Sequence, residues 1–333
     1  MLESIFWFVA IAIGFITLNQ GAKFITDCAT QIAGKVGRSR FVVGALLVST
    51  LSALPELLVS GIAAEEGSPD LALGTALAST VVTIAFVIGV SALVRPIKTS
   101  REIVLRDAVF LAVVTLVAAT LLLDGNLTQY EGIALIALFV PYTLNLAISQ
   151  RTGPEEEIQE RVADMKIGLE FTGWIFGRKV EIRAGPGWLI LGVLWSVMGA
   201  QFLVRGAIGV SEVAGLSPWF MGITVVALGT SLPDIAAGYH ATRRGYTDLV
   251  LGEGIGASVV TTLLTLGVIG ILRPAAHSVE LLLPVVGAMV LTSFLLLALM
   301  LGEWKITSRS GAVLTSSYFA MVAFNVFWFR GFS

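Results

Sequence analysis

The sequence repeats itself. Sliding the 333-residue chain by 178 positions lays Gly21-Ala22-Lys23-Phe24 on Gly199-Ala200-Gln201-Phe202 and Leu54-Pro55-Glu56 on Leu232-Pro233-Asp234. The same register lays Val81-Val82-Thr83 on Val259-Val260-Thr261 and Arg95-Pro96 on Arg273-Pro274. No gap is needed over about 75 residues. Apolar residues match by chance in any hydrophobic sequence, but Pro, acid, Gly and Arg-Pro in one constant register do not. A long-period repeat means that one structural unit is built twice.

The unit is a set of apolar runs. A helix that crosses a bilayer needs roughly 20 apolar residues, and ten such runs are present: 4–33 (with Gly21 as a place for a bend), 41–64, 70–94, 103–123, 129–148, 187–207, 217–241, 248–271, 280–302 and 312–330. They are continuously apolar, whereas barrel strands alternate. The copies lie five runs apart, and an odd number reverses direction through the membrane. The expected fold is an all-α integral membrane protein of about ten transmembrane helices in two inverted-topology five-helix repeats. The first repeat takes 1–148 (duplicated core about 41–94), the second 187–333 (core about 217–271), with a cytoplasmic linker at 149–186. Inverted repeats of this kind mark secondary transporters, with the substrate near the midplane where the repeats meet.

Composition agrees. The chain is 56% hydrophobic and 13% charged, against about 25% charged in a soluble domain. A net charge of −2 gives no basic footprint for nucleic acid. The lone Cys28 excludes a disulfide framework and a Cys-based zinc site. The start, Met-Leu-Glu-Ser, does not read as a basic signal-peptide start. Basic residues gather in alternate connections: Lys35, Arg38 and Arg40; Arg95, Lys98, Arg101 and Arg106; six between 151 and 183; Arg243 and Arg244; Lys305 and Arg309. Cytoplasmic loops carry such an excess, so both termini are expected outside, in a cell-membrane protein. The linker mixes acids with bases and reads as a solvated connection.

Two acids sit where acids are expensive. Glu56 lies deep in the second run and Asp234 deep in the seventh, each directly after a proline, Pro55 and Pro233. A carboxylate at that depth costs several kcal/mol without a partner or a cavity. Proline withholds an N–H and disturbs the carbonyl four residues back, which would free Leu51 and Gly229 carbonyls beside the hydroxyls of Ser52, Thr230 and Ser231. Each half thus offers one carboxylate, carbonyls and hydroxyls, an oxygen-only set suited to hard cations. The structural alternative is a kinked helix with a protonated, hydrogen-bonded acid. Its duplication at equivalent positions argues for binding.

Weaker signals flank the acids. Ser79 and Thr83 share a face four residues apart, as do Ser258, Thr261, Thr262 and Thr265 less regularly; hydroxyl residues also glue membrane helices together. Asp70 and Asp248 read as helix N-caps. Glu253 suits the start of a helix or a cation vestibule. Lys23 and Asp27, four apart, are expected to neutralise each other. His240 reads as interfacial, and neither histidine joins a metal-spaced cluster.

The duplicated Pro-acid segment resembles the two α-repeats of the cation/calcium exchanger superfamily, which includes the sodium/calcium exchangers. The segment Gly229-Thr230-Ser231-Leu232-Pro233-Asp234 is the close match; Leu51-Ser52-Ala53-Leu54-Pro55-Glu56 is looser. The resemblance implies Glu56 and Asp234 as central ligands of a transported cation, with Ser52, Thr230 and Ser231 contributing backbone or hydroxyl oxygens. It implies Ser79, Thr83 and Thr261 at the remaining site positions, and sliding of the first and sixth spans against the others. The chain departs from the family pattern where an amide or acid becomes Thr83 or Thr261, and where Ala53 and Ala257 replace hydroxyl residues. These losses thin the monovalent-ion ligands more than the divalent centre.

The sequence therefore reads as a secondary-active antiporter exchanging a divalent cation, Ca2+, for Na+. Proton-coupled or Mg2+-selective exchange on the same fold is the alternative, and a non-transporting cation sensor or scaffold is the alternative of another class. A passive channel differs from all these antiporters by lacking counter-ion dependence. An intramembrane hydrolase would need a metal cluster and a general base, which the sequence lacks. The expected partners are the lipid bilayer and inorganic cations, with no nucleic acid, no predictable protein partner and no permanently bound cofactor.

Overall fold

Within a bilayer every backbone polar group must be satisfied inside the protein, so apolar runs fold as helices. The structure, a computed structural model, describes residues 2–33, 50, 53–149, 186–245, 247–276 and 278–330. Helix α1 spans Leu2–Ala33, and α2 spans Leu54–Glu65. Helix α3 runs as Pro69–Val82, a wider π turn over Thr83–Ile88, and Gly89–Val94. Helix α4 runs as Arg101–Ile103, a π turn over Val104–Ala108, and Val109–Leu121. Helices α5 (Gln129–Ser149) and α6 (Pro186–Ala214) follow. Helix α7 comprises Pro218–Met221, a π turn over Gly222–Val226, and Ala227–Thr230; α8 is Leu232–Arg244. Helix α9 comprises Thr247–Val260, a π turn over Thr261–Thr265, and Leu266–Leu272. Helices α10 (Val279–Glu303) and α11 (Ser308–Arg330) end the chain.

Local chemistry sets these ends. Ser217 caps α7 by accepting from the Phe220 N–H at 3.2 Å, and Ser100 caps α4 by accepting from the Ile103 N–H at 3.2 Å. Such caps satisfy N–H groups that have no intrahelical partner. Gly67 and Gly245 close α2 and α8 with φ of 79° and 97°, the left-handed stop that glycine takes most readily.

The 178-residue offset recurs in three dimensions. It carries Gly67 to Gly245 and the start of the π turn at Thr83 to that at Thr261. It also carries the strand β1 (Ile97–Lys98) onto β3 (Ala275–Ala276). Each of these pairs with a strand from the other half: β1 antiparallel with β4 (Lys305–Ile306), and β3 with β2 (Asn126–Leu127). These four two-residue strands lie in loops and leave the all-helical fold expected from the sequence intact. They pair backbone groups of short loops between the two halves.

Helices α3 and α9 form the centre: 78% of the apolar window of each is buried inside the protein, against 28% for α11. The outer helices present large apolar side chains such as Leu291 and Phe327 outward, as a lipid-facing surface requires. Helix α1 packs along α6 through glycines. A Cβ on Gly14 would come within 2.5 Å of the Leu203 nitrogen, and one on Gly206 within 2.9 Å of the Ile11 nitrogen. Gly21 likewise meets the backbone of Ser196 and Gly192. Helix α1 is unbroken from Leu2 to Ala33, and Gly21 serves close helix–helix approach.

Among the described residues, seven helices are long and apolar enough to cross a membrane, and the bent pair α7–α8 makes an eighth. The protein is thus a multi-pass, all-helical membrane protein. The sixth run extends further than expected, to Ala214. Most of the expected second span before Leu54, the first basic loop, Leu51, Ser52 and the linker at 150–185 lie outside the described residues.

Candidate cation site

The two Pro-acid segments build matching helix starts. Pro55 and Pro233 stand in the first turns of α2 and α8, where a missing N–H leaves no helical bond unmade. In the second half α7 ends at Thr230, Ser231 is a turn, and α8 departs at 41°. The chain bends before the proline because Pro233 is compatible with a new helix and not with the interior of the old one. Glu56 and Asp234 thus lie in the first turns of fresh helices, where the helix dipole favours negative charge.

Both acids are buried, with Glu56 2% and Asp234 7% exposed. The Ser231 hydroxyl at the α7–α8 break donates to Glu56 Oε1 at 3.2 Å. Glu56 Oε2 has no hydrogen-bond partner among the described residues. Asp234 feels the charges of both Glu56 and Glu253. Thr230 borders Glu56, and its hydroxyl donates back to the Val226 and Ala227 carbonyls at 3.1 and 3.2 Å.

The flanking helices are arranged crosswise. Helix α2 packs on the π turn of α9, and α8 packs on the π turn of α3. Thr83 and Thr261, both buried, open those two turns. A π turn adds a residue to the helical cycle and recurs at functional sites. Ser79 is buried one turn before Thr83, and its hydroxyl has no partner among the described residues. Thr80 and Thr262 join α3 to α9 through their hydroxyls at 3.2 Å, so these two serve packing. Glu253 is half-buried on α9, two turns in from its start. His240 is half-buried, its ring edge-on to Tyr239 at 5.5 Å. Ser52 and the side chains of Asp27 and Asp248 lie outside the described residues.

Two features escaped the sequence reading. The Phe15 ring of α1 occupies the place a Cβ on Gly229 would take, so α1 covers the backbone just before the break. Asn19, one turn on, is buried with its Oδ1 unpartnered among the described residues. The one available signal was Gly229 itself, a glycine beside a Pro-acid motif.

Paired buried carboxylates on helix breaks, within a multi-pass bundle built on a repeat, define a cation transporter. No group of three or more His, Cys, Asp or Glu that could hold a metal ion occurs among the described residues. The family model described as sodium/calcium exchanger protein matches residues 6–147 and 184–327. The chain belongs to the sodium/calcium exchanger family, and it is a cation antiporter and not an enzyme. Among its relatives, CaxA of Alkalimonas amylolytica is 30% identical over 80% of this chain and 81% of its own length. The sodium/calcium exchanger MaX1 of Methanosarcina acetivorans is 27% identical over 95% of this chain and 97% of its own. The solved structure of the sodium-calcium exchanger NCX_Mj soaked with 10 mM Na+ and zero Ca2+ shares the fold, with a TM-score of 0.64 and 24% identity over 96% of this chain and 99% of that one.

Proposed function

We propose that the protein exchanges Ca2+ for Na+ by alternating access, in a ten-span fold of two inverted five-span repeats. Glu56 and Asp234 are the central ligands, with Ser52, Thr230, Ser231, Ser79, Thr83 and Thr261 supplying oxygens around them and Glu253 lining the approach. The repeats take 1–148 and 187–333, joined by the linker at 149–186. Both termini lie outside the cell membrane, because the basic residues cluster in alternate connections. Helices α1 and α6 slide against the remaining bundle to open the site to either side.

One observation carries the reading: each half buries a carboxylate, and Ser231 at the break of the second half donates to Glu56 of the first at 3.2 Å. Two buried carboxylates balance one divalent cation or two monovalent ones. A third sodium ion would leave net positive charge in a low-dielectric site. The cycle is therefore two sodium ions for one calcium ion, and electroneutral.

The experiment is radiolabelled calcium uptake into proteoliposomes under an outward sodium gradient, an outward proton gradient and no gradient. Sodium-driven uptake supports the reading. Uptake driven by protons alone moves the protein to the proton-coupled alternative, which the threonines at 83 and 261 favour because they weaken sodium ligation. Competition by Mg2+ tests the magnesium-selective alternative, and binding of calcium without flux would leave a sensor.

A further inference from the structure

Arg205 on α6 reaches the end of α2. Its Nε lies 2.9 Å and its Nη2 2.8 Å from Glu66 Oε1, with Nε also 3.3 Å from Oε2. Glu66 closes α2 directly before Gly67. It stands on the same helix as Glu56, ten residues on, so about 15 Å of rigid helix joins the ion pair to the cation site.

The ion pair crosses a boundary. Helices α1 and α6 meet backbone to backbone along their glycines and pack on each other far more closely than on any other helix. They form one unit, and α2 is the principal element on which α6 rests outside it. Arg205 is 61% and Glu66 25% exposed, so the bond is reversible in water.

The sequence supplies a reciprocal pair. The 178-residue offset carries Glu66 to Arg244 and Arg205 to Asp27. Both positions recur with their charges exchanged, which keeps them complementary. Arg244 ends α8 before Gly245 as Glu66 ends the α2 segment before Gly67, and Asp27 stands on α1. The side chains of Asp27 and Arg244 lie outside the described residues.

We propose that the Glu66–Arg205 ion pair is a reversible latch holding the α1–α6 unit against the end of α2 in this conformation. The latch rests on the inverted-repeat antiporter reading. Its weakness is required, because a sliding unit must leave both end states. An exposed ion pair biases a two-state ratio by about two- to five-fold, enough to set occupancy without trapping the carrier.

The test reads conformation directly. Cys28→Ser protein carries spin labels at Val213→Cys on α6 and Tyr130→Cys on α5, both exposed, in lipid nanodiscs. Inter-label distances are measured by pulsed electron resonance, and sodium-driven calcium uptake is measured in parallel. Arg205→Glu is expected to move the population ratio away from the present conformation by about two- to five-fold. The exchange Glu66→Arg with Arg205→Glu is expected to restore the original ratio. Raising salt to about 1 M, where screening acts within about 3 Å, gives the same readout on the protein without charge variants. A ratio unmoved by Arg205→Glu and by salt, or a charge exchange that restores nothing, overturns the latch. Absent uptake with ratios that respond as stated overturns the antiporter reading alone.

Discussion

Ser231 donates to Glu56 across 175 positions of sequence, and the bond joins the break in one half of the protein to the acid of the other. A hydrogen bond to a charged group is worth roughly 1.5–3 kcal/mol. Ser231→Ala removes it and leaves Glu56 with one oriented contact fewer, while the helix start at Leu232 is untouched. Half-maximal calcium in an uptake assay is expected to rise about 10-fold, with the maximal rate changed less. An unchanged half-maximal concentration would separate Ser231 from the bound ion.

Charge number makes a sharper prediction at the acids. Glu56→Gln or Asp234→Asn leaves one negative charge for a divalent ion in a buried site, and calcium uptake is expected to fall at least about 100-fold, equal to about 2.8 kcal/mol. The fold should survive, because removing a buried charge relieves desolvation. Thermal unfolding in detergent without calcium is therefore expected at or above the parent temperature, and calcium is expected to stabilise the parent but not the variants. Variants that lose uptake and also unfold early would assign these acids to structure.

Much of this arrangement was legible in the sequence, and the missing part has a common cause. The repeat register, the paired acids and the apolar runs are local patterns, and the 178-residue offset reappears in the π turns, the left-handed glycines and the strands. Partners across the fold are not local. Nothing in the neighbourhood of Ser231 announces Glu56, and nothing around Arg205 announces Glu66. The exact place of the break is not local for a related reason: Pro233 disrupts a helix interior but suits a helix start, and only the packed structure decides which it occupies. Gly21 and Gly229 were visible as glycines, but their reason lies in the helices that press on them.

Thr80 and Thr262 give a calibration for packing against function. Their hydroxyls meet at 3.2 Å between α3 and α9, while Thr262 also donates to the Ser258 carbonyl at 2.8 Å. Thr80→Val removes one contact and leaves Thr262 satisfied. The expected loss is about 1 kcal/mol of stability, seen as a small fall in unfolding temperature with calcium affinity unchanged. A large change in affinity would bring Thr80 into the site.

Gly229 and Phe15 test whether α1 gates the break. The Phe15 ring lies where a Cβ on Gly229 would stand, and the site's neighbouring residues Thr230 and Ser231 follow directly. Gly229→Ala must displace the ring, and with it α1, which is packed too closely on α6 to yield alone. Overpacking of this kind typically destabilises by about 1–3 kcal/mol. Calcium uptake is expected to fall about 10-fold or more, because the displaced ring uncovers the backbone beside the acids or jams the α1–α6 unit. Phe15→Ala combined with Gly229→Ala makes room for the added methyl group, and is expected to recover stability. Uptake should recover with it if fit alone matters. If stability returns while uptake stays low, the ring itself covers the site during the cycle, and Phe15→Ala alone should then let calcium exchange without sodium dependence. An uptake rate in Gly229→Ala equal to that of the parent would remove α1 from control of the break.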